Sequence, residues 1–163
     1  VVMSISVGDK IPSINFKQLG DDGLKDVVAE EYCKGGKVVI FAVPGAFTPT
    51  CSAQHLPSFQ NNAEALRSKG VDAIACVSVN DAFVMQAWGQ SQNVGDDIDL
   101  LADGNGDFAR ATGLTLDGTG FGLGERTTRF SMLIEDGVVT QLNVEENPGE
   151  LNVSSAEHLI ANL

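Results

Sequence analysis

The chain has little positive charge and little sulfur. Ten Lys and Arg stand against 22 Asp and Glu, a net charge of −12 in 163 residues. Such a surface repels phosphate backbones and anionic bilayers, so neither nucleic acid nor a membrane surface is an expected partner. There are only three cysteines, Cys33, Cys51 and Cys76, an odd count with no CxxC pair. That excludes a disulfide framework and a structural zinc site and fits a reducing compartment, with the cytoplasm expected and an organelle compatible. No apolar run reaches membrane-spanning length. Val1–Lys10 lacks both a long apolar core and a basic lead-in, so no secretory leader is expected there.

What remains is ordinary for one globular domain spanning 1–163: 43% hydrophobic and 20% charged residues, with glycines scattered among apolar runs. The densest signal is Val38–Ser52. Val38–Val43 is continuously apolar and rich in β-branched residues, the pattern of a strand buried on both faces. Pro44-Gly45 stops it. Thr48 suits a helix N-cap and Pro49 a first helical position, which places Cys51 in the first turn of a helix running to about Lys69. A helix N-terminus favours the thiolate form of a cysteine, and its free N–H groups can hold an oxyanion. As packing alone, Cys51 would be one more small buried hydrophobe. The convergence of four loop residues on one geometry favours a reactive sulfur instead. Pro57 falls inside the same helix and removes a hydrogen bond to residue 53, so the turn carrying Cys51 is expected to be loosely tied and able to unwind once oxidised.

Elsewhere the spacing predicts a strand over Ile14–Leu19, a short helix over Asp26–Cys33, strands over Val71–Val79 and Ile98–Ala102, and a helix over Asp81–Ser91. A helical turn at Asp107–Thr112 precedes a glycine-rich loop, Gly113–Gly124. Thr128–Ile134 and Val138–Val144 form a hairpin across Asp136-Gly137, and a last helix starts at Ser154 with Glu157 closing a capping box. Strand and helix alternate, then comes a hairpin and a helix. The expected fold class is therefore α/β, a central mixed sheet flanked by helices in a thioredoxin-like arrangement. Three local patterns carry no function. Asp103–Asp107 has the wrong residues at later positions for a calcium loop. Gly118–Gly124 lacks dinucleotide spacing. His55, four residues after Cys51, raises a Cys–His dyad but has no evident orienting group and is poorly placed to face a substrate. No metal or cofactor is expected.

The string Pro44-Gly45-Ala46-Phe47-Thr48-Pro49-Thr50-Cys51 resembles the peroxiredoxins, and more narrowly their type II group. The likeness extends from Val7-Gly8-Asp9 to the last helix, through Cys76–Phe83, Leu101-Ala102-Asp103 and Arg129–Met132. It implies a thiol-dependent peroxidase for hydrogen peroxide and alkyl hydroperoxides. Cys51 matches the peroxidatic cysteine, Thr48 its threonine, Pro44 its shielding proline, Arg129 its arginine and Arg126 a second basic position. Arg129 lies 78 residues after Cys51, so only the fold can join them. Some type II members carry a resolving cysteine before the final helix; Glu150–Ser155 has none. Resolution then falls to Cys76 or, preferentially, to an external thiol: glutathione with glutaredoxin, or thioredoxin. The group is commonly homodimeric, and an exposed apolar patch at Phe47 or Phe83 would support that here. A different class of function is a peroxide-sensing module, in which Cys51 reacts once instead of turning over.

Overall fold

The computed structural model describes residues 4–163; Val1–Met3, the first part of the leader expectation, lie outside the described residues. A seven-stranded sheet has the order β2-β1-β5-β4-β3-β8-β9. Its strands are β1 (Asn15–Gly20), β2 (Gly23–Val28), β3 (Lys37–Ala42), β4 (Ala73–Ser78), β5 (Asp99–Ala102), β8 (Phe130–Glu135) and β9 (Val138–Val144). The centre, β5-β4-β3, is parallel, and β1 and β8 join it antiparallel on either side. Helices α2 (Leu56–Ser68) and α3 (Ala82–Ser91) make the crossovers. This is the mixed, helix-flanked, thioredoxin-like sheet that the alternation predicts.

β3 explains its own position. Val38–Ala42 are buried, and their side chains divide between two apolar clusters, one on each face of the sheet. Val39 and Phe41 pack under α2 with Leu56, Phe59 and Leu66. Val38 and Ile40 face the cluster holding Phe16, Phe108 and Met132. A strand apolar on both faces is stable only inside such a sandwich.

Several boundaries differ from expectation for identifiable reasons. Residues 26–28 belong to β2, held by the β1 ladder across the Gly20–Gly23 turn, so α1 shrinks to Ala29–Tyr32. The glycine-rich loop contains a small second sheet, β6 (Thr115–Asp117) with β7 (Glu125–Thr127), and a single 3₁₀ turn at Thr119–Phe121. α4 covers Asp107–Thr112 as expected; the Asp103 carboxylate accepts from the N–H groups of Phe108 and Ala109 instead of facing solvent. The β8–β9 hairpin turns on Asp136 and Gly137, with φ of 48° and 79°, the two positive values a type I′ turn requires. α5 (Ala156–Ala161) is capped by Ser155, one residue later than the capping-box reading. Glu157 accepts from Ser58 and Asn62 on α2 and closes no box.

Candidate active site

Beyond β3 the chain must leave a fully buried layer and reach the surface. Pro44–Phe47 does this in a tight loop held from two sides. The Ala46 N–H donates to Asn80 Oδ1, and Arg126 Nη1 donates to the Pro44 carbonyl at 3.4 Å. A Cβ on Gly45 would lie 3.1 Å from that guanidinium and 3.2 Å from Thr48 Cγ2, so only glycine fits without displacement. Phe47 has φ of 66°, unusual for a bulky side chain, and the residue is 54% exposed.

The helix does begin at Pro49, with Ser52 N–H on the Thr48 carbonyl. It does not run unbroken to Lys69. Cys51–His55 form a π-turn, in which Leu56 N–H reaches back five residues to the Cys51 carbonyl. α2 then starts with Pro57 in its first turn. The missing N–H of Pro57 is thus absorbed by a wider turn at a helix start, where proline costs least. Thr48 is not the cap the sequence suggests. Its hydroxyl donates to the Gly45 carbonyl at 2.6 Å, which leaves its lone pairs to accept from another group. The π-turn is tethered outward by Thr50 Oγ1 to the Gly149 carbonyl and by Trp88 Nε1 to Ser52 Oγ.

β8 is the antiparallel neighbour of β3, with Phe130 opposite Ala42. Arg129, one residue before it, therefore enters beside the end of β3. The guanidinium is 2% exposed and each of its arms has a partner. Nε donates to the Pro148 carbonyl at 2.9 Å, Nη1 to His55 Nδ1 at 2.8 Å, and Nη2 to Cys51 Sγ at 3.0 Å. Among the described residues no carboxylate lies within ion-pairing distance of it. A buried cation without an anion costs several kcal/mol. The one atom in contact that can become an anion is the Cys51 sulfur.

His55 is the functional residue that sequence reasoning undervalued. An arginine N–H can only donate, so Nδ1 must accept. The proton then sits on Nε2 and is given to the Ser154 carbonyl at 3.0 Å. Burial, and next the Arg129 charge, push the imidazole down to about 3, so it is neutral. Its orienting group is a backbone carbonyl, invisible to a search for polar side chains. No hydrogen bond joins His55 to Cys51 among the described residues; the ring buttresses the arginine and does not form a dyad. Its faces pack on Phe41 and Phe59.

Pro44, Thr48 and Arg129 line one pocket of about 500 Å³, together with Leu116, Phe121 and Pro148. Its wall is mainly apolar, with the Arg129 guanidinium and the Asp117 carboxylate as its charged groups. Cys51 itself is fully buried and does not line the pocket; it is bonded to the guanidinium that does. Cys76 shares the core cluster with Cys51, while Cys33 lies in the cluster on the opposite face. Burial first, and then the neighbouring Cys51, push the Cys76 thiol well above its usual range. No cluster of metal-ligating side chains is present among the described residues. Nor is any helix there long and apolar enough to cross a membrane.

A model of the Redoxin family matches residues 6–160. The chloroplastic peroxiredoxin-2E-2 of Oryza sativa subsp. japonica is 52% identical over 165 residues, 98% of this chain and 73% of the relative. Among solved structures, a Burkholderia cenocepacia protein described as a thioredoxin reductase has a TM-score of 0.95 and 44% identity, covering 99% of both chains. Reduced Prx3 of Vibrio vulnificus in complex with hydrogen peroxide has a TM-score of 0.92 and 50% identity, over 97% of this chain and 98% of that one.

Proposed function

The chain belongs to the redoxin family and within it to the type II peroxiredoxins, thiol peroxidases, and from that membership we propose that Cys51 is its peroxidatic sulfur, with Arg129, Thr48 and Pro44 completing the site. One observation carries the assignment. A buried guanidinium with no carboxylate partner among the described residues donates to Cys51 Sγ at 3.0 Å. That charge-assisted contact favours the thiolate, the nucleophilic form.

Peroxide entering the pocket meets the guanidinium before the sulfur. The thiolate attacks the near peroxide oxygen, the O–O bond breaks, and two electrons pass from sulfur to the departing oxygen. Arg129 stabilises the negative charge that builds there, and its planar fork can hold sulfur and oxygen together. Thr48, its hydroxyl proton engaged by Gly45, accepts a hydrogen bond from the peroxide O–H and orients the substrate. Pro44 seals the pocket wall against water. The near oxygen keeps its hydrogen, so Cys51 becomes a sulfenic acid, and the departing alkoxide or hydroxide takes a proton from solvent water and leaves as an alcohol or water. The apolar wall suits alkyl hydroperoxides as well as hydrogen peroxide. No prosthetic group takes part in these steps.

Recycling falls to an external thiol: glutathione with glutaredoxin, or thioredoxin. One thiol displaces water from the sulfenic acid to form a mixed disulfide, and a second releases Cys51. The strongly protonated, buried state of Cys76 supports this over an internal bridge and leaves Cys76 a packing role. After oxidation the π-turn unwinds to present the sulfur, which faster hydrogen exchange at residues 50–57 in the oxidised form would register. Phe47, Phe83 and Phe121 are 54%, 63% and 89% exposed, which supports a homodimer beside the pocket. The compartment is a reducing one, cytoplasmic by cysteine usage or organellar as in the chloroplastic rice relative.

The test is peroxide consumption with glutathione/glutaredoxin and with thioredoxin in parallel. Many turnovers per protein with either donor are expected. One stoichiometric oxidation with both would replace the enzyme by a peroxide sensor.

A further inference from the structure

Behind His55 the hydrogen bonds do not stop. Glu145 is a carboxylate only 4% exposed, on the segment after β9. A single oxygen, Oε2, accepts from the N–H groups of Asn152, Val153 and Ser154 at 2.9, 2.9 and 2.7 Å, and from Ser154 Oγ at 2.6 Å. An oxygen receiving four donors carries no proton. The clasped turn is the one whose Ser154 carbonyl holds His55 Nε2. The Glu145 backbone N–H also donates to the Arg129 carbonyl at 3.0 Å. The bonds therefore close a ring: Glu145 to the turn at 152–154, Ser154 to His55, His55 to Arg129, and Arg129 back to Glu145.

We propose that Glu145 is a positioning residue of the peroxidase site, which fixes the Ser154 carbonyl, through it the His55 tautomer, and so the Arg129 guanidinium against Cys51. This rests on the roles given above to Arg129 and Cys51. The physical need is specific. A neutral imidazole can hold a guanidinium only through an unprotonated Nδ1, and the proton that must then sit on Nε2 needs an acceptor there. A carbonyl fixed in place supplies it and locks the tautomer that Arg129 requires. A loose one lets the imidazole turn or exchange its proton, and an Nδ1–H would then confront Arg129 with a second donor. One Glu145 oxygen gathers three successive N–H groups of the turn and the Ser154 hydroxyl at a single point.

The experiment uses the full chain. The rate of Cys51 oxidation by hydrogen peroxide is followed by stopped flow, and the His55 ring nitrogens by NMR. In the wild type NMR should show the Nε2-protonated tautomer. In Glu145→Ala that signature should be lost or mixed, and oxidation should slow roughly tenfold or more, the usual cost of a misplaced catalytic group. Glu145→Gln keeps an acceptor oxygen and should slow by only about threefold. Neither substitution should slow the reaction further in an Arg129→Gln background. A folded Glu145→Ala with an unchanged tautomer and wild-type rate overturns the proposal, as does equal slowing with Arg129 already replaced. If the alanine variant does not fold, the glutamine variant in both backgrounds decides on the same criterion. Absence of peroxide consumption in the wild type would instead remove the peroxidase reading of this chain, while the tautomer measurement would still test the clasp.

Discussion

Cys33 and Cys51 are both fully buried, and their surroundings are opposite. Cys33 follows the C-terminal end of α1, where the helix dipole opposes negative charge, and it packs among apolar side chains. Burial alone pushes its thiol up to about 12. Cys51 has equal burial but receives an N–H from a guanidinium that has no carboxylate partner among the described residues. Removal from water therefore says nothing by itself about reactivity. A buried sulfur is inert unless the fold also buries a cation against it, and a buried cation is tolerable only if something beside it can take negative charge. Cys76 is the intermediate case: it lies close enough to both Cys51 and Arg129 to feel their charges, but burial dominates.

The comparison breaks most sharply if the wrong sulfur matters. Cys51→Ser should retain the fold and lose peroxide consumption by on the order of 10⁴-fold or more, as expected when a nucleophile is removed. Cys76→Ser should leave the first oxidation step close to wild type. Cys76→Ser falling as far as Cys51→Ser would transfer the chemistry to β4.

Next in size is the cation. Arg129→Gln should slow Cys51 oxidation by roughly 10²- to 10³-fold, the range for losing a donor to developing negative charge. If Cys51 owes its reactivity to that guanidinium, its thiolate absorbance at neutral pH should fall in the same variant. An undiminished thiolate signal would assign the activation to the π-turn and not to the arginine. Thr48→Val keeps the shape but removes the acceptor for the peroxide proton, and should cost about tenfold, while Thr48→Ser should restore most of the rate.

How much of this was readable beforehand follows from where the information lies. The Val38–Cys51 string is local, since a buried strand, a Pro-Gly stop and a threonine three residues before a cysteine all act within one loop, and each has a sequence signature. Arg129 was legible only through the family resemblance; on sequence alone an arginine beginning a strand is an ordinary surface charge. The β3–β8 pairing converts it into a buried group, and no local pattern encodes that. His55 shows no orienting group in the sequence because its partner is the Ser154 carbonyl, and every residue owns a carbonyl. Glu145 left no signal, because its three main partners are backbone N–H groups. The sequence predicts a proline kink where the structure has a π-turn, because proline marks where a hydrogen bond is lost but not how the chain compensates. β6 and β7 were hidden by glycine, which reads as loop even where a short ladder forms.

His55 sharpens the contrast from the side of pH. Its folded value of about 3 lies below the ordinary 6.5. Between these values the unfolded chain binds a proton that the folded chain refuses, so stability rises with pH across that window. The contribution is complete above about 6.5 and is lost as pH falls toward 3. His55→Asn places a carbonyl oxygen where Nδ1 accepts and cannot take up the proton. Its denaturant-derived stability should therefore fall less steeply than the wild type's on acidification, by up to about 1.4 kcal/mol per pH unit. Parallel curves for the two proteins would show that the imidazole titrates freely and does not hold Arg129 as a neutral acceptor.

The smallest effect belongs to the other sulfur. Cys33→Ala removes one buried atom from an apolar cluster and should cost about 1 kcal/mol of stability, read as a lower thermal midpoint. The rate of Cys51 oxidation should not change. The two cysteines lie on opposite faces of the sheet, with no hydrogen bond between them among the described residues, so the substitutions should be additive when combined with any change at Arg129. A slowed peroxide reaction in Cys33→Ala would mean that the two sulfurs communicate through the sheet. The difference between them would then be one of degree within a common network, and no longer that between a thiol with a cation and a thiol without one.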